Sequence, residues 1–211
     1  MTQRKEMIIE ALTLEGQHVR LEPLALDHHA QLCEVAFDES IWRWMPYAIT
    51  SPEEMRSYIE RMGKLQERRM ALPFATIAQA ANRVVGGTSY LNINTFHRRI
   101  EIGATWIGVD WQRTAINTEA KYLMLRHAFE TLGCIRVEFK TDSNNERSMR
   151  AIARIGAKKE GTLRNHMISR GGRIRHSVYY SIIDSEWPQV KIDLEEMLSR
   201  KHPNGGRFVN G

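Results

Sequence analysis

The sequence predicts a single α/β (α+β) domain, with a mixed central sheet of about seven strands and helices on both faces. Three observations lead there. Segments with strand-like alternation and segments with helical periodicity are interleaved along the chain, so both must share one core. The last two strand segments are joined by Arg170-Gly171-Gly172, a short turn suited to a hairpin. The 211 residues are 42% hydrophobic and 26% charged, with no Pro/Ser/Gly linker in the middle, which suits one well-buried core.

The elements follow in order. His18-Val19-Arg20-Leu21-Glu22-Pro23-Leu24 alternates and reads as a strand, and the first dozen residues are open between an arm and an edge strand. Asp27 is placed to cap a helix through Phe37. Ser51-Pro52-Glu53-Glu54 starts the next helix, to about Arg69, because Ser caps, Pro fits the first turn and Glu54 closes a capping box. Pro73 to Gln79 and Val84 to Ile93 read as strands hinged at Ala81-Asn82-Arg83. In the strand from Ile100 to Ile107, strict alternation puts Ile100, Ile102, Ala104 and Trp106 on one face and Glu101, Gly103 and Thr105 on the other. Thr118 to Leu132 is the clearest helix, with Tyr122, Leu125, Phe129 and Leu132 at 3-4-3 spacing and Gly133 ending it. Ile135 to Lys140 alternates as a half-buried strand, and Asn145 to Ile155 is a short helix closed by Gly156. Ala157 to Met167 and Arg173 to Ile183 form the hairpin, and Ser185 to Arg200 is a final amphipathic helix. The expected organisation is an arm over 1–15, one domain over 16–200 and a flexible tail over 201–211, rich in Pro203, Asn204, Gly205, Gly206 and Gly211.

Composition narrows the function. No run approaches the roughly 18 apolar residues of a membrane span, and Met7-Ile8-Ile9 is too short for a signal-peptide core, so a soluble cytoplasmic protein with no membrane partner is expected. Cys33 and Cys134 lie far apart with no CxxC, and the eight histidines show no repeated ligand spacing, so neither a disulfide scaffold nor a metal site is expected. The net charge of +5 favours a phosphorylated ligand or an acidic surface. Arg68-Arg69 and Arg98-Arg99 are pairs rather than runs, so no nucleic-acid partner is expected; a basic nucleic-acid-associated protein stands as a rival reading on charge alone. GxxxxGK[ST], GxGxxG after a strand, GxSxG and HExxH are all absent.

The informative region is Glu101 to Gly161. A strand ends at Ile107, Gly108 to Asn117 forms a loop, and a strong helix follows. Unbonded N–H groups at such a helix start, with the helix dipole behind them, attract anions, and Arg113 can add a charged contact. The competing reading is an ordinary strand-to-helix loop.

Gln112-Arg113-Thr114-Ala115-Ile116-Asn117-Thr118-Glu119-Ala120 resembles the pyrophosphate loop of the GNAT superfamily of N-acetyltransferases, Gln/Arg-x-x-Gly-x-Gly/Ala followed in one branch by Glu-Ala. Ile100-Glu101-Ile102-Gly103 resembles that branch's strand signature, Asn145-Glu146-Arg147-Ser148 its Asn-x-x-Ser, and Arg154 to Gly161 its closing segment; Glu186-Trp187-Pro188 is typical as well. Order and spacing agree from about Gly16 to Leu198, and the chain looks most like the ribosomal-protein alanine/serine N-acetyltransferase (Rim-type) branch. It departs where the two loop glycines are Ala115 and Asn117.

The resemblance implies acetyl-CoA as acetyl donor, held where the strand containing Glu101–Ile107 splays from the strand containing Ile135–Thr141. The pantetheine arm would pair with the main chain around Trp106, Ile107 and Gly108, and the pyrophosphate with Gln112, Arg113, Thr114, Ala115, Ile116 and Asn117. A primary amine, most naturally a protein or peptide N-terminus, would attack the thioester directly. Glu101 is the implied base, against a reading as a solvated strand residue or one salt-bridged to Arg99. Ser148 is the implied partner of the departing thiolate and Asn145 an anchor for pantetheine, against helix-surface and N-cap readings. Tyr179 and Tyr180 are rival hydroxyls that read better as packing aromatics. Trp42, Trp44 and Tyr47 would shape the acceptor pocket, against a reading as core or dimer-contact aromatics; a homodimer is one option. The alternatives are a non-catalytic acyl-CoA-binding module and an acetyltransferase of a small-molecule amine.

Overall fold

A computed structural model describes residues 7–200, so the tail from 201 onward lies outside the described residues. Eight strands form one sheet: β1 (Leu14–Glu15), β2 (Val19–Pro23), β3 (Ala71–Ala78), β4 (Arg83–Asn94), β5 (Arg99–Ile107), β6 (Arg136–Asp142), β7 (Lys158–Ile168) and β8 (Ile174–Ile183). Their order is β1-β2-β3-β4-β5-β6-β8-β7, antiparallel throughout except for β5 and β6. The strand beyond the expected seven is β1, whose Leu14 pairs with Leu21. A parallel pair needs a long crossover, and the helix after β5 provides it.

α1 (His29–Ala36), α2 (Glu39–Trp42) and α3 (Pro52–Glu67) cover one face of the sheet, where Leu32, Trp42, Met55 and Tyr58 build a core with Ala75 and Trp106. α4 (Ala115–Arg126), α5 (Glu146–Arg154) and α6 (Trp187–Ser199) cover the other, where Leu123, Met124, Trp187 and Leu194 pack on Tyr90, Ile100 and Val137. Helix starts follow their caps. Ser51 Oγ accepts from Glu54 N at the head of α3, while the Glu54 carboxylate reaches back to accept from Thr50 N. Asn145 caps α5 by accepting from Ser148 N at 3.0 Å. α1 differs from expectation: Leu26–His28 forms a separate 3-10 turn, so Asp27 does not cap the helix. α4 begins earlier than expected because Thr114 caps it, which makes Ala115, Ile116 and Asn117 its first turn rather than loop.

The main departure lies in β5. Ile100 and Ile102 face α4 as the alternation predicts, but Trp106 lies in the opposite core, 5.1 Å from the Trp42 ring. Gly87 pairs with Trp106 and Ser89 with Gly103, so Thr88 alone opposes both Ala104 and Thr105. This is a β-bulge, with Ala104 in the left-handed region at φ +48°. One extra residue reverses every side chain after it. Thr105 therefore turns toward α4 and Trp106 away from it.

Glu119, the acid of the Thr-Glu-Ala run, is buried in α4 and clamps the β1–β2 turn. Its carboxylate accepts from the main-chain N–H groups of Gln17, His18 and Val19 at 2.6–2.8 Å. Gly16 is required there, since a Cβ would sit 2.5 Å from the Glu119 carboxyl carbon. Glu119→Ala strands three N–H groups and is expected to cost about 3 kcal/mol, or roughly 6–12 °C in melting temperature. Glu119→Gln, which keeps one acceptor oxygen, is expected to lose less; equal melting of both variants and the parent would show that the turn stands without the clamp.

Candidate active site

β5 and β6 bond to each other over only three pairs, Arg99 with Arg136, Ile100 with Val137 and Glu101 with Glu138. Beyond Glu101 the bulge carries β5 away, while β6 continues to Asp142 against β8. A cleft of about 940 Å³ opens between Ile102–Ile107 on one side and Phe139–Asp142 on the other. The facing main-chain groups of these segments are not spent on each other, so they remain to bond an extended polar ligand.

The mouth of the cleft is built for anions. α4 points its N-terminus into it, Thr114 Oγ1 accepting from Ile116 N and donating to Trp111 O. Arg113 sits at φ +59°, which bends the chain tightly into the helix. Gln112 ties the loop down from both ends: its amide donates to Ile107 O at 2.9 Å and accepts from Arg147 at 2.7 Å. Arg113, Arg147, Arg150 and Arg154 all line the cleft, and guanidinium groups bind phosphate in bidentate fashion. Deeper in, Asn117 lines the same cleft, and its Oδ1 is buried with no hydrogen-bond partner among the described residues, an unspent acceptor. Phosphate at one end and amides along an arm is the chemistry of CoA, and these residues fit it. Gly108 is held by Gly108 N to Val85 O at 2.8 Å and has no room for a side chain, since a Cβ would lie 2.8 Å from Val35.

At the fork of the two strands Glu101 is buried, its Oε2 accepting from Asn92 Nδ2 at 2.8 Å and facing Lys140 Nζ at 3.3 Å. The ion partner is Lys140 rather than Arg99, which pairs with Glu138. Ser148 and Asn145 line the cleft from α5. Of the three aromatics, Trp44 reaches the cleft, flanked by Arg43 and Arg173 at 5.0 and 5.4 Å. Trp42 is buried, donates to Ala36 O and backs Trp106; Tyr47 stacks near Trp42 and Tyr58 under Arg61. Both are wall rather than surface. Beyond Trp44, buried Asp142 pairs with Arg173 at 2.5 Å and Arg175 at 3.8 Å. Among the described residues no group of three metal-ligating side chains occurs and no helix is long and apolar enough to cross a membrane.

Residues 18–158 match the acetyltransferase (GNAT) domain family. The chain belongs to the GNAT acetyltransferases. It superposes on a GCN5-related N-acetyltransferase from Brucella melitensis with a TM-score of 0.88 and 30% identity, over 94% of this chain and 91% of that one. It is 23% identical over 176 residues to an uncharacterised N-acetyltransferase, p20, of Bacillus licheniformis, covering 83% of this chain and 98% of the relative. A ribosomal-protein-S5-alanine acetyltransferase from Vibrio fischeri shares the fold at TM-score 0.66 and 18% identity, over 83% of this chain and 98% of the other.

The sequence reading of this GNAT acetyltransferase missed the arginines of α5 and, above all, Lys121. Arg147, Arg150 and Arg154 recur at helical spacing, a signal that only gains meaning once α5 is seen to face the loop at 112–117. Lys121 stands inside the apolar stripe of α4, 6% exposed, where a charged residue breaks the pattern. Its Nζ donates to Thr105 Oγ1 at 2.7 Å and Thr88 Oγ1 at 3.0 Å. Burial, with no opposing charge, pulls its pKa down from the usual 10.5 to about 7. The unfolded chain therefore binds a proton at Lys121 that the folded chain resists between those two values. The resulting penalty on stability is full below pH 7 and fades as pH rises toward 10.5. Lys121→Met is accordingly expected to melt above the parent at about pH 6, with the gap shrinking steadily by about pH 10. A gap independent of pH would mean that the lysine is not titrating from a buried site.

Proposed function

We propose that this acetyltransferase moves an acetyl group from acetyl-CoA to a primary amine, an N-terminal α-amino group of a protein or peptide in the manner of the ribosomal-protein (Rim-type) branch. The observation that carries the reading is the parting of β5 from β6 directly above the N-terminus of α4. Acetyl-CoA supplies, when bound, a thioester carbonyl open to direct attack. The chain supplies the rest. The first turn of α4 and the arginines around it bind phosphate, and the main chain of β5 where Trp106 and Ile107 line the cleft offers a donor to a carbonyl oxygen that gains charge.

The acceptor enters from the side of Trp44. An α-ammonium group with an ordinary pKa near 8 must lose a proton before it attacks. Glu101, at the fork, is the carboxylate that takes this proton, directly or through water. The Lys140 ammonium beside it holds the carboxylate in place at the fork. Ser148 offers a hydroxyl to the departing sulfur from α5. Ala115 and Asn117, in place of glycines, fit a regular first helical turn, since neither has left-handed backbone.

The test is release of free CoA thiol from acetyl-CoA across a panel of N-terminal peptides, lysine-bearing peptides and small amines. Turnover is expected with free N-termini and is lost on blocking them. Glu101→Gln is expected to lower kcat by about 100-fold, and Ser148→Ala by about tenfold, with acetyl-CoA affinity nearly unchanged. Exclusive turnover of small amines would move the assignment to a small-molecule acceptor, and equal losses in kcat and affinity would reassign both residues to binding.

A further inference from the structure

Lys121 has no role in the mechanism above, yet its charged side chain is buried in the cleft wall. Its surroundings are two hydroxyls and, beyond Thr88, the Met124 sulfur; the Thr88 and Thr105 hydroxyls are themselves 2.8 Å apart. Among the described residues no carboxylate comes within ion-pair range of its Nζ, and no titratable group from a neighbouring element influences it. A structural lysine would be expected to neutralise a buried acid. An ammonium group has three N–H donors; two are taken by the threonines, and the residue lines the cleft.

Its depth separates it from the phosphate site. Lys121 lies six residues beyond the first residue of α4, or about 9 Å along the axis. Its anchor Thr105 directly follows the bulge residue Ala104. The amine thus stands beside the bulge, at the inner part of the cleft, where β5 leaves β6, and away from the arginine-lined mouth. The bulge is what aims Thr105, and hence the lysine, at this point.

Resting on the acetyl-CoA reading above, we propose that Lys121 is a catalytic residue: its ammonium group hydrogen-bonds the sulfur of the departing CoA and gives it a proton. In the step, the acceptor nitrogen bonds to the acyl carbon and the carbon–sulfur bond breaks. The bonding pair goes to sulfur, and sulfur takes the proton from Nζ. The proton lost by the acceptor nitrogen goes to the Glu101 carboxylate and on to solvent, from which the neutral Lys121 amine is recharged. The products are the acetamide and CoA thiol, with no further reactant. Ser148 then serves as a second hydrogen-bonding partner on the opposite wall.

The experiment needs no turnover. CoA and desulfo-CoA are bound to the parent enzyme and to Lys121→Met, and the thiol of bound CoA is titrated by its thiolate ultraviolet absorbance. The bound thiol is expected to ionise at least about one pH unit lower on the parent than on the variant, while desulfo-CoA binds both equally. In parallel, nuclear magnetic resonance of the Lys121 side chain in the parent enzyme is expected to show its pKa rising on addition of CoA and unchanged with desulfo-CoA; this measurement stands even if the variant does not fold. Identical thiol titration on the two proteins, or the same lysine response to both ligands, overturns the proposal and leaves the acetyl-CoA reading intact. Failure of the parent to bind CoA at all overturns both.

Discussion

A single extra residue in β5 organises this molecule. β5 must pair with β4 along its whole length and with β6 as well, and a flat strand would do both. The bulge at Ala104 and Thr105 makes the second pairing impossible beyond Glu101 while preserving the first, since Gly86 and Gly87 still pair with Ile107 and Trp106. The left-handed backbone of Ala104 costs of order 1 kcal/mol, a small sum beside the two cores that hold it. Gly86 shows how closely the pairing closes again: a Cβ there would lie 2.2 Å from Trp106 O. The opening is therefore a built feature of a rigid sheet and not a frayed end.

The same slip distributes the chemistry. It sends Trp106 into the aromatic core with Trp42, so that its main chain, rather than its indole, edges the cleft. It sends Thr105 to the α4 side, where it meets Thr88 and Lys121. Charge then falls into zones along the cleft. Arginines crowd the mouth, the buried ammonium of Lys121 stands beside the bulge, and the fork holds the Glu101–Lys140 pair. Past it, Asp142 is neutralised by Arg173 and Arg175. An anionic ligand entering phosphate-first would meet cations at the outside and proton-bearing groups further in, the arrangement that binding and group transfer require separately.

Most of the architecture was legible in the chain because it is local. Ser51 and Asn145 as caps, Gly156 with φ +89° after α5 and the Arg170–Gly172 turn act over a few residues and are read directly. The site was legible only where a motif is contiguous, as in Gln112 to Asn117. What escaped depends on contacts across the fold. Alternation assigns Trp106 to the face of Ile100, and nothing in Ile100 to Ile107 announces a bulge, because Ala104 carries no turn-forming residue type. Glu119 reads as part of a motif, but its three N–H partners lie about a hundred residues away. Trp42 and Tyr47 could be core or pocket on sequence grounds, and only packing separates them from Trp44.

Lys121 shows why the misfits in an otherwise consistent pattern carry the most information. Every neighbour on its stripe follows the rule that a buried helix face is apolar, and a methionine there would remove the cost of burying an amine. The fold does not offset that cost with a carboxylate, although acids are held close to cations throughout the rest of the cleft. It uses two hydroxyls, which fix the amine in place without fixing its charge. A carboxylate partner would have kept the lysine permanently protonated and made it a poor acid. Neutral partners leave it able to exist in both states near neutral pH. A residue kept against stability, in surroundings that preserve its ability to gain and lose a proton, is placed for proton transfer rather than for structure.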